Sequence, residues 1–444
     1  MNLLKYAFLL LGLMTIHEAK AQLNVEVAVG FEEEEGAFYS LKKALKSPED
    51  VLVLYLKYDK LTSLPDEIAQ FRHLRKLDLS GNKLTTLSAS IAQLEELYLD
   101  KNHLSRVPDG LSKLVKLQKL DLSKNKLTTL PDDITQLTNL KNLDLSENEF
   151  TKVPDAIGQL TELKTLNLLK NPLKNFPEQL FKLKNLQALK LTGSFQVLPE
   201  QFTSLNNLQN LVIIRSQLAA LPSYIGQCKQ LKKIYFRAHK FTQLPPEIGD
   251  LQNLKYLYLR DGQLSALPAT IGQLKRLEKL DLESNKLATL PTTIGQLKQL
   301  NDLSLVSNQL TTLPNSIGEL QNLESLDLWL NQITHLPSTM VKLQKLKALG
   351  LEDNKLGKFP VQIISLKNLR ELHLSNNGIS KLPKEIAQLY KLKQLYLSNN
   401  RLHSLPESIK NMKALTYLEL RGNPLSKVEK EKIKKWLPSC RIIF

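Results

Sequence analysis

The chain has 444 residues, with 60 Lys and Arg against 44 Asp and Glu, a formal charge of +16 and an isoelectric point near 9.5. That balance raises acidic partners, anionic surfaces and nucleic acid as binding classes. Two cysteines, Cys228 and Cys440, exclude a disulfide-built fold.

Residues 1–21 read as a secretory signal peptide. Lys5 gives a basic start, Tyr6 to Ile16 is an apolar run too short to span a bilayer, and Ala19-Lys20-Ala21 has the form of a cleavage site before Gln22. No other long apolar stretch follows. The mature chain is therefore expected to be exported (secreted, periplasmic or cell-surface) with no transmembrane span. Residues 22–50 form an N-terminal cap. Phe38, Leu41 and Leu45 fall on one helical face and predict a short amphipathic helix over 37–46. The acidic run Glu32 to Glu35 before it reads as a solvated loop.

One pattern then fills residues 51–425. In Leu117, Leu120, Leu122, Asn125, Leu127 and Leu130 the spacing is L-x-x-L-x-L-x-x-N-x-L-x-x-L. The pair Leu120 and Leu122 has the period of two of a strand with one buried face. Asn125 marks a turn, since its side chain can bond nearby backbone. Pro131 lacks an N–H for a sheet, so the chain has left the strand by then. The pattern returns about every 23 residues, giving about 17 repeats that end at Asn423. Such a period means a stacked array in which each unit covers the next.

Irregularities are local. Asn82 to Asn102 is only about 20 residues, and Leu87-Ser88 lacks the proline, so an outer turn is missing there. The asparagine position becomes Ser194, Ser216, His239 and Gly262 in four successive repeats. Ser is expected to supply part of the asparagine's bonding, and His239 to substitute for it. Between strands, segments such as Leu290-Pro291…Ile294…Leu297 predict a short 3₁₀, polyproline or helical turn facing the core. Gly272, Gly295 and Gly318 there suit tight turning. Residues 426–444 form a C-terminal cap. Ser426-x-x-Glu429 is a capping box opening a helix with Val428, Ile433, Trp436 and Leu437 on its buried side, stopped by Pro438. Cys228 takes a position held by leucine in neighbouring repeats and reads as a buried hydrophobe. The cysteines are too many repeats apart to pair.

These motifs resemble the leucine-rich repeat family. The outer segment Leu313-Pro314-Asn315-Ser316-Ile317-Gly318-Glu319-Leu320 resembles the short bacterial repeats and also the intracellular Ras-pathway scaffold type. The resemblance implies an α/β solenoid: a right-handed horseshoe with a parallel concave β-sheet and an irregular, 3₁₀ or helical convex side. It also implies protein binding through the concave face and no reaction.

Leu120 and Leu122 point inward, so Asp121 and its column face out of the sheet. In that column and beside it, two groups depart from small or charged residues. One is Ile214, Arg215, Tyr235, Arg237, Tyr256, Tyr258 and Arg260, and the other is Val306, Trp329 and Leu330. Tyr, Trp and Arg dominate interface energetics, and an exposed Trp beside an exposed Leu starts an apolar patch. The tyrosines could equally stack on one another as cross-strand neighbours. The expected partner is a protein, with a glycan as second choice. Acidic and basic residues nearly balance on the exposed strand positions, which disfavours nucleic acid. The seven histidines are scattered without metal-ligand spacing, and no P-loop, G-x-S-x-G or G-x-G-x-x-G occurs. The column aspartates are expected to be exposed, with nothing to raise a pKa. No cofactor, metal or catalytic residue is assigned, and the oligomeric state stays open.

Overall fold

A computed structural model describes residues 34–84 and 91–444. The signal segment, Glu32 and Glu33 of the acidic run and the Leu87-Ser88 turn lie outside the described residues. Nineteen strands among the described residues form one sheet, in which each strand pairs in parallel with its successor in the chain. The register keeps like residues together: Leu120 pairs with Leu143, Leu143 with Leu166 and Leu166 with Leu189. These leucines are no more than 2% exposed and form one continuous row. Each fully buried leucine contributes roughly 1.5–3 kcal/mol, available only while the adjacent repeat covers it.

The asparagines do more than turn the chain locally. The Nδ2 of Asn125 donates to Leu122 O at 3.1 Å in its own repeat and to Leu99 O at 3.0 Å in the preceding one. Its Oδ1 accepts from the backbone N–H of Leu104 at 3.0 Å. Asn308 repeats this with Leu305 O, Leu282 O and Leu287 N. Each asparagine thus bridges two coils through backbone groups that would otherwise be buried without partners. The residue before it takes a left-handed φ, 54° at Lys124 and 55° at Ser307, which swings the chain off the sheet.

The convex side is a column of 3₁₀ turns, for example Thr292–Gln296 and Asn315–Glu319, each preceded by proline and each burying an isoleucine, Ile294 or Ile317. The glycines here serve close approach rather than tight turning. A Cβ on Gly295 would lie 2.3 Å from Ser316 O, and one on Gly272 2.5 Å from Thr293 O, both in the next turn.

The two ends differ from expectation. Among the described residues of the N-terminal cap the α-helix is confined to Leu41–Ala44, with a 3₁₀ turn at Pro48–Asp50, because Ala37–Phe38 instead pairs as a strand with the first repeat and satisfies its edge. Glu34 is not simply solvated: its carboxylate accepts from the Tyr55 hydroxyl at 2.5 Å and from Lys76 Nζ at 2.9 Å. At the other end the helix Lys427–Trp436 is capped by Ser426, whose Oγ accepts from Glu429 N. The Glu429 carboxylate turns away from that box and accepts from Leu405 N at 3.1 Å, tying helix to array. Ile433 and Leu437 are buried, but Val428 is 79% exposed, on the side of the helix opposite the buried Glu429 and Ile433. The strand Arg441–Ile443 then pairs with Tyr417–Glu419. Both cysteines are free, and burial pushes the Cys228 thiol up to about 11. No helix among the described residues is long and apolar enough to cross a membrane.

Asn308→Ala should therefore lower stability by roughly 2–4 kcal/mol, because it orphans buried backbone groups of two repeats. Urea unfolding with amide exchange at Leu287, whose N–H donates to Asn308 Oδ1, checks this. A loss no larger than that of an exposed Lys298→Ala control would contradict the bridging role.

Candidate functional site

Loss of the asparagine reshapes the sheet. Regular repeats contribute three-residue strands such as Lys119–Asp121 and Ser325–Asp327. In the irregular stretch the strands lengthen to Ala188–Gly193, Asn210–Ile214, Lys233–Arg237 and Tyr256–Arg260, and the strand that leads into it, Thr165–Leu173, is longer still although it keeps Asn171 and its bridges. Backbone pairing between strands replaces the side-chain bridges. Serine does not supply them: Ser216 Oγ is buried without a partner, and Ser194 contributes only its backbone N–H, to Leu173 O. Nor does His239 act as an asparagine. Its imidazole is 2% exposed and stacks on Phe241 at 3.8 Å between ring centres. Burial pushes its pKa down to about 4. Gly262 is glycine because that ring fills its side-chain space: a Cβ would lie 2.0 Å from His239 Cε1.

The lengthened strands carry the first candidate group. The register sets Tyr235 beside Tyr258, with ring centres 5.8 Å apart, and Arg237 between Ile214 and Arg260. The Tyr258 hydroxyl is pushed up to about 12 by burial and by the nearby Asp281 charge, and Lys233 Nζ lies 5.6 Å from its ring centre. The arginines are engaged. Arg237 Nε donates to Asp261 at 2.6 Å, and Arg260 Nε to Asp281 at 2.8 Å, with Glu283 3.9 Å away. Tyr256 sits toward the rim, its hydroxyl donating to Glu278 at 3.1 Å. Arg215 is exposed and turns the chain with a φ of 60°. Arg237 and Arg260 are therefore held in an interleaved ion-pair network whose acids are Asp261, Asp281 and Glu283.

The second group is differently built from the expected Trp–Leu patch. Trp329 is only partly exposed. Its indole runs away from Leu330 and lies over the next strand, where a Cβ on Gly350 would stand 1.8 Å from Nε1. Beyond Gly350 it meets His373 at 5.0 Å, His373 stacks on Tyr396 at 4.1 Å, and Tyr396 meets Tyr417 at 5.1 Å. Burial pushes the His373 pKa down to about 4. Val306 flanks this ladder on the preceding repeat, where Ser307 N donates to Trp329 O at 2.8 Å. Leu330 is 37% exposed and holds the left-handed turn with a φ of 55°, a conformation costly for a bulky side chain. The signal for the ladder was present in the sequence as a glycine, Gly350, one repeat after a tryptophan.

The column aspartates are not exposed as expected. Asp78 and Asp281 are buried. Burial, and then the charge of Asp144, pushes Asp121 up to about 6. Burial, and then Asp302, Asp281, Glu283 and Glu371, pushes Asp327 up to about 7. Side chains in adjacent repeats crowd these carboxylates, so their shape is read only across strands. Among the described residues no group of His, Cys, Asp and Glu is arranged to hold a metal ion.

Gly350→Ala should displace the Trp329 ring and red-shift its emission. The protein has two tryptophans, so a Trp436→Phe background isolates the signal. Unchanged emission would mean the ring does not rest on Gly350.

Comparison with known proteins adds the family. A model described as "Leucine rich repeat" matches residues 298–356 and 367–425, "Leucine-rich repeat region" matches 97–194 and 246–308, and a further leucine-rich repeat model matches 73–94. No curated protein matches. A solved leucine-rich repeat protein of Leptospira interrogans is 40% identical, with 93% of this chain and 100% of that one covered and a TM-score of 0.79. The plant peptide hormone receptor RGFR1, solved in complex with RGF2, is 26% identical over 92% of this chain and 76% of that one, with a TM-score of 0.66. The Arabidopsis receptor kinase HAESA ectodomain, in complex with an extended IDA peptide hormone, is 27% identical over 90% and 71%, also at 0.66. With its repeats, its single parallel sheet and these matches together, the chain belongs to the leucine-rich repeat proteins and is of the bacterial type.

Proposed function

We propose that this protein is an exported, non-enzymatic scaffold that binds a protein partner through its concave sheet. The observation that carries the reading is the placement of two aromatic clusters, around Tyr235 and Tyr258 and around Trp329, on the sheet face that the leucines do not need. A face fixed by nineteen paired strands incurs little ordering cost on binding. Two structures similar to it, RGFR1 and HAESA, hold peptide hormones or RGF2 in their solved complexes, which favours a peptide or protein ligand. The ion pairs of Arg237 and Arg260 weigh against a polyanion as ligand, since phosphate groups would have to compete with carboxylates already in place. Export rests on the signal features at residues 5–21.

Affinity capture from host extract should recover a partner with the wild type and lose at least about tenfold of it, roughly 1.4 kcal/mol, with a Tyr235→Ala/Tyr258→Ala/Trp329→Ala variant. Equal recovery removes the concave face from the proposal. N-terminal sequencing of the protein from its host should begin at Gln22. A cytosolic chain that retains Met1 would replace export with the intracellular scaffold reading.

A further inference from the structure

The positive charge of the chain is not spread evenly along it. Residues 341–444 hold 21 Lys and Arg against eight Asp and Glu, which is +13 of the net +16, while residues 301–340 hold no Lys or Arg. Part of this excess lines the rim where the 3₁₀ turns hand the chain over to the strands. In earlier repeats the bases of that rim face carboxylates one coil away: Lys255 has Glu278 at 2.8 Å, Lys298 has Glu319 at 3.5 Å and Lys347 has Glu324 at 2.6 Å. Beyond Lys347 the acids stop. Successive coils place Arg370 and then Lys393 in its column, with Arg370 N donating to Lys347 O at 2.7 Å and Lys393 N to Arg370 O at 2.8 Å. Among the described residues neither side chain makes an ion pair, and like charges on neighbouring strands repel. Beside them Lys345, Lys367 and Lys391 are held by neutral amides. Their ammoniums donate to Asn322 Oδ1 at 2.7 Å, Gln388 Oε1 at 2.8 Å and Asn368 Oδ1 at 2.7 Å. Asn322 and Asn368 are themselves fixed, each donating to a backbone oxygen of the preceding coil at 2.7 Å. The rim thus presents oriented cations that have no counter-charge among the described residues.

We propose that this strip, from Lys345 to Lys393, binds a linear acidic polysaccharide, one that carries sulfate or carboxylate groups. The site is separate from the concave face and does not rest on the reading of that face. There Arg237 and Arg260 already hold their own acids, whereas on the rim no acid has to be displaced. Lys345 and Lys391 lie two coils apart, roughly 10 Å at the usual strand spacing. A chain laid across the coils would meet an oriented ammonium at each end of that step, with Arg370 on the coil between. Its anionic oxygens would accept charge-assisted hydrogen bonds, which are stronger than neutral ones. Two features select a sugar over other polyanions. Tyr390 is 56% exposed in the same strip, with Lys391 Nζ 5.9 Å from its ring centre, and an aromatic face takes the C–H face of a pyranose ring. The amides of Asn322, Asn368 and Gln388 keep unused donor and acceptor positions for hydroxyls. A run of aspartates or glutamates would supply the charge but use neither feature. A nucleic acid strand stacks successive bases on successive aromatics, and this strip offers one.

The test titrates the full chain by calorimetry with a heparin oligosaccharide, a neutral chito-oligosaccharide, an oligothymidylate and a poly-glutamate peptide at about 0.15 M salt. Heparin should bind at least about tenfold more tightly than the other three. Its affinity should fall at least about tenfold in Lys345→Gln/Arg370→Gln/Lys391→Gln/Lys393→Gln. Lys126→Gln/Lys152→Gln/Lys174→Gln/Lys240→Gln removes the same charge from exposed positions of earlier repeats and should weaken heparin by less than about threefold. No heparin binding overturns the assignment, and so do equal losses in the two variants, which would leave only the diffuse attraction of a +16 chain. Oligothymidylate or poly-glutamate binding as tight as heparin puts a nucleic acid or an acidic protein in its place. All eight substitutions are on exposed side chains, so both variants should keep the thermal midpoint of the wild type. Salt supplies a check that needs no variant: affinity for heparin should fall at least about tenfold between about 0.05 and about 0.3 M, and a flat response removes ion pairing as its basis. The Tyr235→Ala/Tyr258→Ala/Trp329→Ala variant should bind heparin as the wild type does. If it does not, the polysaccharide lies on the concave face and the rim site falls. If heparin fails while that variant still loses its protein partner, the rim site falls and concave binding stands.

Discussion

Every level of this protein depends on the backbone bonds that one asparagine makes to the coil before it. Leucine burial drives the stacking, but burial is non-directional and would tolerate slippage. The Asn125 amide reaches Leu99 O, and its oxygen takes Leu104 N–H. These bonds can form only in one register, since sliding a strand by a residue would turn its leucines outward. The parallel sheet is thus held on one side by its own ladder and at its exit by side chains, with the 3₁₀ turns packed across close-set glycines behind.

Where the asparagine is lost, the array does not break; it redistributes the same hydrogen bonds. The four strands from Ala188–Gly193 to Tyr256–Arg260 are longer than the regular three residues, and His239 fills the space of Gly262. The longer strands bring Arg237 and Arg260 into the sheet surface, where Asp261 and Asp281 meet them. A change in an interior turn position therefore alters the chemistry of the opposite, solvent-facing side. Local departures from a repeat's rules tend to sit at functional surfaces, and here the departure widens the surface that would meet a partner.

The concave side also changes character along its length. Around Tyr235 its acids and bases neutralise one another. From Trp329 to Tyr417 it is a run of ring contacts, stacked between His373 and Tyr396 and tilted at either end, bordered by carboxylates with raised pKa values. Packing five-ångström-spaced strands side by side crowds like charges that are 23 residues apart in the chain, as Asp121 and Asp144 show.

The sequence by itself determined the repeat, the parallel sheet with Leu120, Leu143 and Leu166 in one row, and the column to which Asp121 and Tyr235 belong, because a strict period converts directly into spatial neighbours. It also singled out Tyr235, Tyr258 and Trp329, since Tyr and Trp stand out against a background of leucine, lysine and aspartate, but not His373 and Tyr396 as the partners of Trp329. What only the tertiary structure decided were the side-chain directions and pairings between repeats. Trp329 turns toward His373 rather than Leu330, Arg237 and Arg260 are bound by Asp261 and Asp281, His239 stacks instead of bridging, and the column carboxylates are buried or half-buried. Periodicity says which residues are adjacent. It carries no information on which rotamer fills the space between them, and that is settled by the room left by a glycine or by the charge of a neighbour one coil away.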